Sequence, residues 1–534
     1  MSGDPDPFRS LPLPMTVTLS GTTGNDTLFG QTAEATELNA LAGDDILRSS
    51  YTSQTLNGAA GDDLLEAQSY DGATLAFNPG QGDDTISISG MTSRVTLDVA
   101  KGEATNLGAD FFQFDTAAGA VSIGGTIYGG KGKVTINFSD GIDLNNAYVW
   151  GNQGQDNLLL TANESAQFQS SKIGLGKAND SATFQLTTGD LNNFTLAGGQ
   201  GKDTFQLNLN DNNFSGTNLF GAGGGADEIS ATFEGTGINS GTFTLRGDTG
   251  ADTLTVDFSI ANTAAQTWNI YGDDAVDATG SYADFLTFDL GNTAVDVTGT
   301  IAGGGGADTL TLTSTIANAS ANWYIDGGRG ADFITVDGLA WAGTLDGGLG
   351  ADTLEIGLGG ASTSTTESGD LFLTVLGGAG NDTFQNTSFN STSVGASDYM
   401  ATALVVTLAD FTTGDIFKML GNVGVNSDAN VNRSAFYTAN FTAMPATGSV
   451  AGLTGIAANN IALFPDGDDV VLQILGGSQQ ISGNTAGTNT VGMAVIRFKG
   501  NSVLGSNISR ASGQLSSINF AFTQSLTGGS FNFT

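Results

Sequence analysis

The sequence predicts an all-β chain: a right-handed parallel β-solenoid of about 24 residues per coil, completed by a C-terminal β cap. Three observations predict it. A glycine-rich turn ending in Gly-x-Asp recurs through most of the chain, a Leu, Ile or Phe always stands two places after that aspartate, and the apolar residues between turns alternate with period two.

The turns carry Asp26, Asp45, Asp63, Asp84, Asp110, Asp156, Asp203, Asp227, Asp252, Asp308, Asp332, Asp352 and Asp382. Most of these lie 18 to 25 residues apart, and each of the three long gaps holds a degraded copy. In the first, Gly129-Gly130-Lys131-Gly132-Lys133-Val134, valine replaces the aspartate; in the second, Asn179-Asp180 keeps the acid without the glycine before it; in the third, Asp284 ends the polar insertion GDDAVDATGSYAD.

After each turn comes a strand such as DTFQLNLN, then a polar turn, then a second strand such as TNLFGA. Alternation of the kind seen at Leu254, Val256 and Phe258 puts one face inward. One pair of short strands cannot bury that face alone, whereas stacked coils bury it continuously.

The solenoid is expected over residues 20–390. Residues 1–19 hold Pro5, Pro7, Pro12 and Pro14 and read as an extended arm, either disordered or docked as an added strand on a neighbouring molecule. Residues 391–534 lose the glycine turns but keep β-like runs such as VVLQIL, as a cap over the last coil would. Trp268, Trp323 and Trp341 are expected in the core, with a sugar-binding stripe as the alternative. Asp273-Asp274 and Asp466-Gly467-Asp468-Asp469 read as solvated turns.

Composition narrows the chemistry. The chain has 534 residues with 54 Asp+Glu against 16 Lys+Arg, a formal net charge of -38, so cations are its natural small partners and nucleic acid is not. Its 39% hydrophobic residues suffice for a core. His 0 and Cys 0 exclude histidine-dependent zinc proteases, Ser-His lipases, thiol catalysis and disulfides. No run of about 18 apolar residues forms a membrane span. The N-terminus lacks a basic start followed by an apolar core, so no cleaved signal is expected.

Calcium takes six to eight oxygens at about 2.3–2.6 Å from carboxylates and carbonyls. A turn whose glycines adopt positive φ can aim several carbonyls at one point, one aspartate supplies charge, and the next coil repeats the turn ~4.8 Å away. The expected ligands are therefore the thirteen aspartates together with Gly199, Gly201, Gly304, Gly306, Gly328, Gly330, Gly348, Gly350, Gly378 and Gly380.

Those glycines stand in Gly198-Gly199-Gln200-Gly201-Lys202-Asp203, Gly303-Gly304-Gly305-Gly306-Ala307-Asp308, Gly327-Gly328-Arg329-Gly330-Ala331-Asp332, Gly347-Gly348-Leu349-Gly350-Ala351-Asp352 and Gly377-Gly378-Ala379-Gly380-Asn381-Asp382. The five resemble the RTX (repeats-in-toxin) nonapeptide GGxGxDxUx. Val405-Val406-Thr407-Leu408-Ala409-Asp410-Phe411-Thr412-Thr413-Gly414-Asp415-Ile416 likewise resembles the Asp-Phe-x-x-Gly-Asp-x-Ile segment that follows many RTX arrays.

The resemblance implies a calcium-binding β-roll exported by an ABC-type (type I) transporter through an uncleaved C-terminal signal, and the ending GGSFNFT has the apolar, hydroxylated character of one. RTX rolls repeat the motif every nine residues. Here it returns once per coil, so calcium is expected along one edge with metal-free turns opposite.

Repeats fill most of the chain and leave no separate catalytic domain. The leading expectation is a non-enzymatic, secreted calcium-binding protein that self-assembles into a surface layer or filament. A cell-surface adhesin or binder of surface polysaccharide is the second reading, and a polysaccharide lyase or epimerase working through carboxylates or calcium the third.

Overall fold

A computed structural model describes residues 17–419 apart from the connections at 31–35, 51–53, 69–73, 92–94, 100–107, 117–120, 140, 163–165, 188, 211, 236–240, 261–265, 274–281, 290–296, 315–317, 339–340, 359–370, 390–403 and 411–414. Beyond 419 it describes six strands. The described residues contain strands and turns and no helix, and the strands stack as a parallel β-solenoid of about 24 residues per turn. The proline-rich arm up to residue 16, most of the insertion after Asp273, and Gly467-Asp468 lie outside the described residues.

Two compact units divide the chain, Met1–Gly223 and Gly224–Thr534, so the division falls within the repeats. In the first unit the strands that follow the aspartates form one parallel ladder: Thr27–Phe29, Ile46–Ser49, Leu64–Gln68, Thr85–Met91, Asp110–Thr116, Val134–Phe138, Asn157–Ala162, Ser181–Leu186 and Thr204–Asn210. The return strands, from Val17–Ser20 and Thr36–Ala42 onwards, pair in a second parallel ladder. The second unit repeats the scheme from Glu228–Gly235 to Ile416–Met419 on one side and from Thr242–Thr249 to Leu404–Leu408 on the other.

Register explains the sequence regularity. The residues two places after the aspartates align rung to rung, as in Leu254↔Leu286↔Leu310↔Ile334↔Leu354. Each of those five is fully buried. The insertion before Asp284 is absorbed without slipping the register, because a one-residue slip would turn every apolar side chain outward.

Both ladders end by changing direction. Met493–Phe498 adds in parallel to Leu404–Leu408 and then pairs antiparallel with Asp469–Leu475, which pairs antiparallel with Ile461–Asp466. On the other side Ser530–Phe533 adds to Ile416–Met419 and continues antiparallel through Gln514–Phe522 to Val503–Ala511. These strands lie within residues 391–534, where the sequence predicts a cap.

The core is aromatic as well as aliphatic. Trp268 and Trp323 are buried, as expected of core residues, and the side chain of Trp341 lies outside the described residues. Along one row Trp268, Gly299, Trp323 and Gly343 alternate, because coils stacked at strand spacing have no room for an indole on every rung. Phe233 and Phe258 stack with centroids 5.2 Å apart, and Trp268 meets each of them edge-on at 4.8 Å.

Gly299 is the tight point of that row: a Cβ there would overlap the Trp323 ring and lie 2.7 Å from Trp268 O. Gly299→Ala is expected to destabilise the folded chain by about 1–3 kcal/mol through overpacking. Urea unfolding followed by tryptophan fluorescence reads it, and an unchanged midpoint would contradict this packing.

Candidate metal centre

The site begins with the aspartate that closes each turn. It precedes the first inward residue of the following strand, so its side chain is drawn under the turn, and Asp45, Asp63, Asp84, Asp156, Asp252, Asp308, Asp332, Asp352 and Asp382 are all at least 97% buried. One carboxylate oxygen of each is used by the preceding coil. In the first unit the Asp45 N–H donates to Asp63 Oδ1 at 2.8 Å and Asp63 N–H to Asp84 Oδ1 at 2.9 Å. In the second, Asp284, Asp308 and Asp332 donate to Oδ1 of Asp308, Asp332 and Asp352 at 2.8, 2.8 and 2.9 Å.

The other oxygen is the unusual one. Oδ2 of Asp45, Asp63, Asp84, Asp156, Asp180, Asp252, Asp284, Asp308, Asp332 and Asp352 is buried and receives no hydrogen bond. Burial of an ionised carboxylate without full compensation is costly, so each such oxygen calls for a proton or a cation.

What faces these oxygens is another acceptor. A Cβ placed on Gly327 would lie 2.6 Å from Asp332 Oδ2 and 2.5 Å from Gly347 O; one on Gly347 would lie 2.8 Å from Asp352 Oδ2 and 2.6 Å from Gly377 O. Carboxylate and carbonyl of the next coil therefore approach within about 5 Å over the first glycine of the motif. Two acceptors converging without a donor repel, and a hard cation taking oxygen ligands relieves both.

The second and fourth motif glycines carry the positive φ that turns the chain, 95° at Gly328 and 141° at Gly330. The turns stack so tightly that a Cβ on Gly330 would collide with Gly306 O, and one on Gly350 with Gly330 O. Carbonyl oxygens thus run in a column beside the carboxylates. Gly199, Gly201, Gly304, Gly306, Gly348, Gly350, Gly378 and Gly380 hold the same conformation. Among the described residues no three acidic side chains gather at one point, so a calcium ion here would draw mainly on these carbonyls with one or two carboxylates. The residues present fit that group.

The structure also fills places the sequence marked as degraded. Asp180 and Asp284 stand in the ladder as full members, accepting from the N–H of Asp156 and Asp252 at 2.7 Å each. Asp415 adds a rung at the far end, accepting from Asp382 N–H at 3.0 Å. Asp410, from the same segment, accepts from Gly377 and Gly378 N–H at 2.8 Å each. Val134 breaks the row: a Cβ on Gly129 would meet Val134 Cγ2 at 2.5 Å, so a methyl group occupies the carboxylate's place. Asp26, in the first coil, differs in having its Oδ2 held by Thr22 N and Thr22 Oγ1 at 2.5 and 2.8 Å.

One expectation is corrected. Asp273 is not a solvated turn residue but is 2% exposed and accepts from Gly305 N–H at 2.7 Å, because the turn of the following coil covers it. The glycines at the first motif position, Gly327 and Gly347 among them, are not singled out by φ, which is not left-handed there; the carboxylate and the next coil's carbonyl beside them demand glycine. The signal was present in the unbroken Gly-Gly pair.

Burial raises the carboxylate pKa values, with neighbouring aspartates adding to the effect and the backbone hydrogen bond opposing it. Asp63, Asp156, Asp252, Asp308 and Asp352 are pushed up to about 7, and Asp284 to about 8. No known protein-family model matches the chain, and no curated protein is significantly similar to it.

Three outcomes are expected. These carboxyls bind protons more tightly folded than unfolded, so without calcium their destabilisation is absent below about pH 4, grows as pH rises through the folded values of about 7 to 8, and levels off only above about pH 8. The chelated chain should show β structure and a cooperative melt at pH 5 and lose both at pH 8; the same β signal at the two pH values would be incompatible with the buried ladder. Asp332→Asn, which leaves an amide facing Gly347 O, should raise the β signal left in chelator at neutral pH and shrink any gain on adding calcium. Ala59 occupies the second motif position at φ 82°, so Ala59→Gly should add about 1 kcal/mol by relieving left-handed strain, measured by chemical unfolding.

Proposed function

We propose that this protein is a calcium-binding structural protein that acts outside the cell, where copies associate into a surface layer or filament. The observation that carries the reading is the row of buried carboxylate oxygens without donors, each beside carbonyls of the next coil. With -38 formal charges the unliganded chain repels itself. Where free calcium is scarce the ladder stays open, which suits passage through an ABC-type exporter; at millimolar calcium, binding and folding are one process.

The RTX-like turns support export of this kind. Self-association is supported by a chain given over to repeats, whose inner row is a folding device and whose outer faces are left for contact. We read the protein as non-enzymatic, its sequence offering neither histidine nor cysteine and no separate catalytic domain. No helix among the described residues is long and apolar enough to cross a membrane.

Calcium added to chelator-treated protein at neutral pH should convert a disordered circular-dichroism spectrum into a β spectrum, and electron microscopy should then show layers or filaments. Equal folding in chelator would remove the calcium reading. Dispersed single molecules with and without calcium would remove the assembly reading while leaving the calcium reading intact.

A further inference from the structure

The outer face of the first unit carries an aromatic shelf that neither the calcium edge nor the core explains. In the return ladder Tyr128, Trp150, Gly174 and Ala197 share one outward row, and Thr126, Tyr148, Lys172 and Thr195 the next row over. Tyr148 and Trp150 remain 41% and 37% exposed. Trp150 does not project freely: a Cβ on Gly174 would lie 2.5 Å from Trp150 Cζ3 and 2.6 Å from Cε3, so the benzo edge of the indole rests on the backbone of the next coil. Glycine at 174 gives the ring a seat, and Ala197 beyond it keeps the row low.

A solenoid gains nothing by exposing these rings, and exposed large aromatics in one patch mark contact sites. We propose that Tyr128, Tyr148 and Trp150 form a stacking site for a neutral linear polysaccharide, through which the protein is held to a glycan-covered surface. The inference concerns a different face from the calcium row and goes beyond the assembly reading.

Size, charge and chemistry select this occupant. A large aromatic side chain offers about 150–250 Å² in all, so with Tyr148 and Trp150 41% and 37% exposed and Tyr128 less so, roughly 200 Å² is open. A stable protein interface takes about 800 Å² from each partner, so a second copy is poorly served by this patch. A chain of net charge -38 repels acidic polymers, whereas a neutral polyol is not repelled. The C–H faces of pyranose rings pack on indole and phenol rings, while the hydroxyls of Tyr128, Tyr148, Thr126 and Thr195 and the Lys172 ammonium can hydrogen-bond the sugar hydroxyls.

The test uses the full calcium-loaded chain. Co-sedimentation with insoluble chitin, cellulose and curdlan screens the glycan, and titration with chitohexaose, cellohexaose or laminarihexaose follows tryptophan fluorescence and its quenching by iodide. The expected result is retention on at least one polymer, protection of a quenchable tryptophan by the matching hexasaccharide, and about tenfold weaker binding in each of Trp150→Ala and Tyr148→Ala. Calcium-dependent circular dichroism is run on both variants. Should Trp150→Ala fail to fold, Tyr148→Ala and the iodide protection of the unaltered chain decide the matter.

Binding to none of the polymers would overturn the proposal. So would equal binding by the folded variants, or an oligomer of the unaltered chain that Trp150→Ala reduces to monomer, which would make the shelf a contact between copies. A chain that folds equally in chelator yet binds a glycan through Trp150 would separate this inference from the calcium reading.

Discussion

Everything in the repeat region turns on where one carboxylate is placed. The aspartate ending each turn is buried, gives one oxygen to the backbone N–H of the coil before it, and turns the other towards carbonyls of the coil after it. The first oxygen ties coils together as a ladder hydrogen bond would, with the added strength of a charged acceptor. The second makes the arrangement conditional, since a buried anion beside carbonyl dipoles is tolerable only when protonated or when a cation lies among them.

That condition spreads through the turn because the coils stack at strand spacing. A carbonyl of one glycine occupies the volume a side chain would need on the next, so the motif glycines are fixed by their neighbours as much as by their own φ. Where the motif has drifted the backbone does not follow it: Leu41, Ala59, Asn152 and Asp248 keep φ of 93°, 82°, 75° and 72° at the second motif position. The stack imposes the left-handed turn on residues that would not choose it, and a regular array tolerates such strain in a few coils because intact coils flank them.

The sequence made the solenoid readable because its two periodicities, glycine turns and alternating apolar residues, are both consequences of stacking and both survive in single residues. Asp180 and Asp284 could be recognised as drifted copies but not as working rungs, since that depends on register across the insertion before Asp284, which only the paired strands reveal. Asp415 was visible in Gly414-Asp415 yet lay beyond the last full motif, and its membership became evident once Ile416–Met419 was seen to extend the ladder. The aromatic shelf left no local signal at all: Trp150 and Gly174 are 24 residues apart, and only the parallel register sets one on the other.

The opposite edge is built differently from the carboxylate row. In the later coils of the first unit the return strand turns at Asn146, Ser170, Asn193 and Gly216, all with φ near 50–65°. Those corners close with uncharged groups: Asn218 accepts from Phe194 N–H at 3.1 Å while its amide donates to Ser215 O at 3.2 Å, and Ser171 Oγ accepts from Ala147 N–H at 3.1 Å. At these corners the backbone donors named meet neutral side-chain acceptors, so those contacts need no counter-charge. A coil therefore has one side closed by neutral hydrogen bonds and one that gathers the buried carboxylates. With all the conditional groups in a single row, a proton or a bound cation at that row would decide whether the turns close.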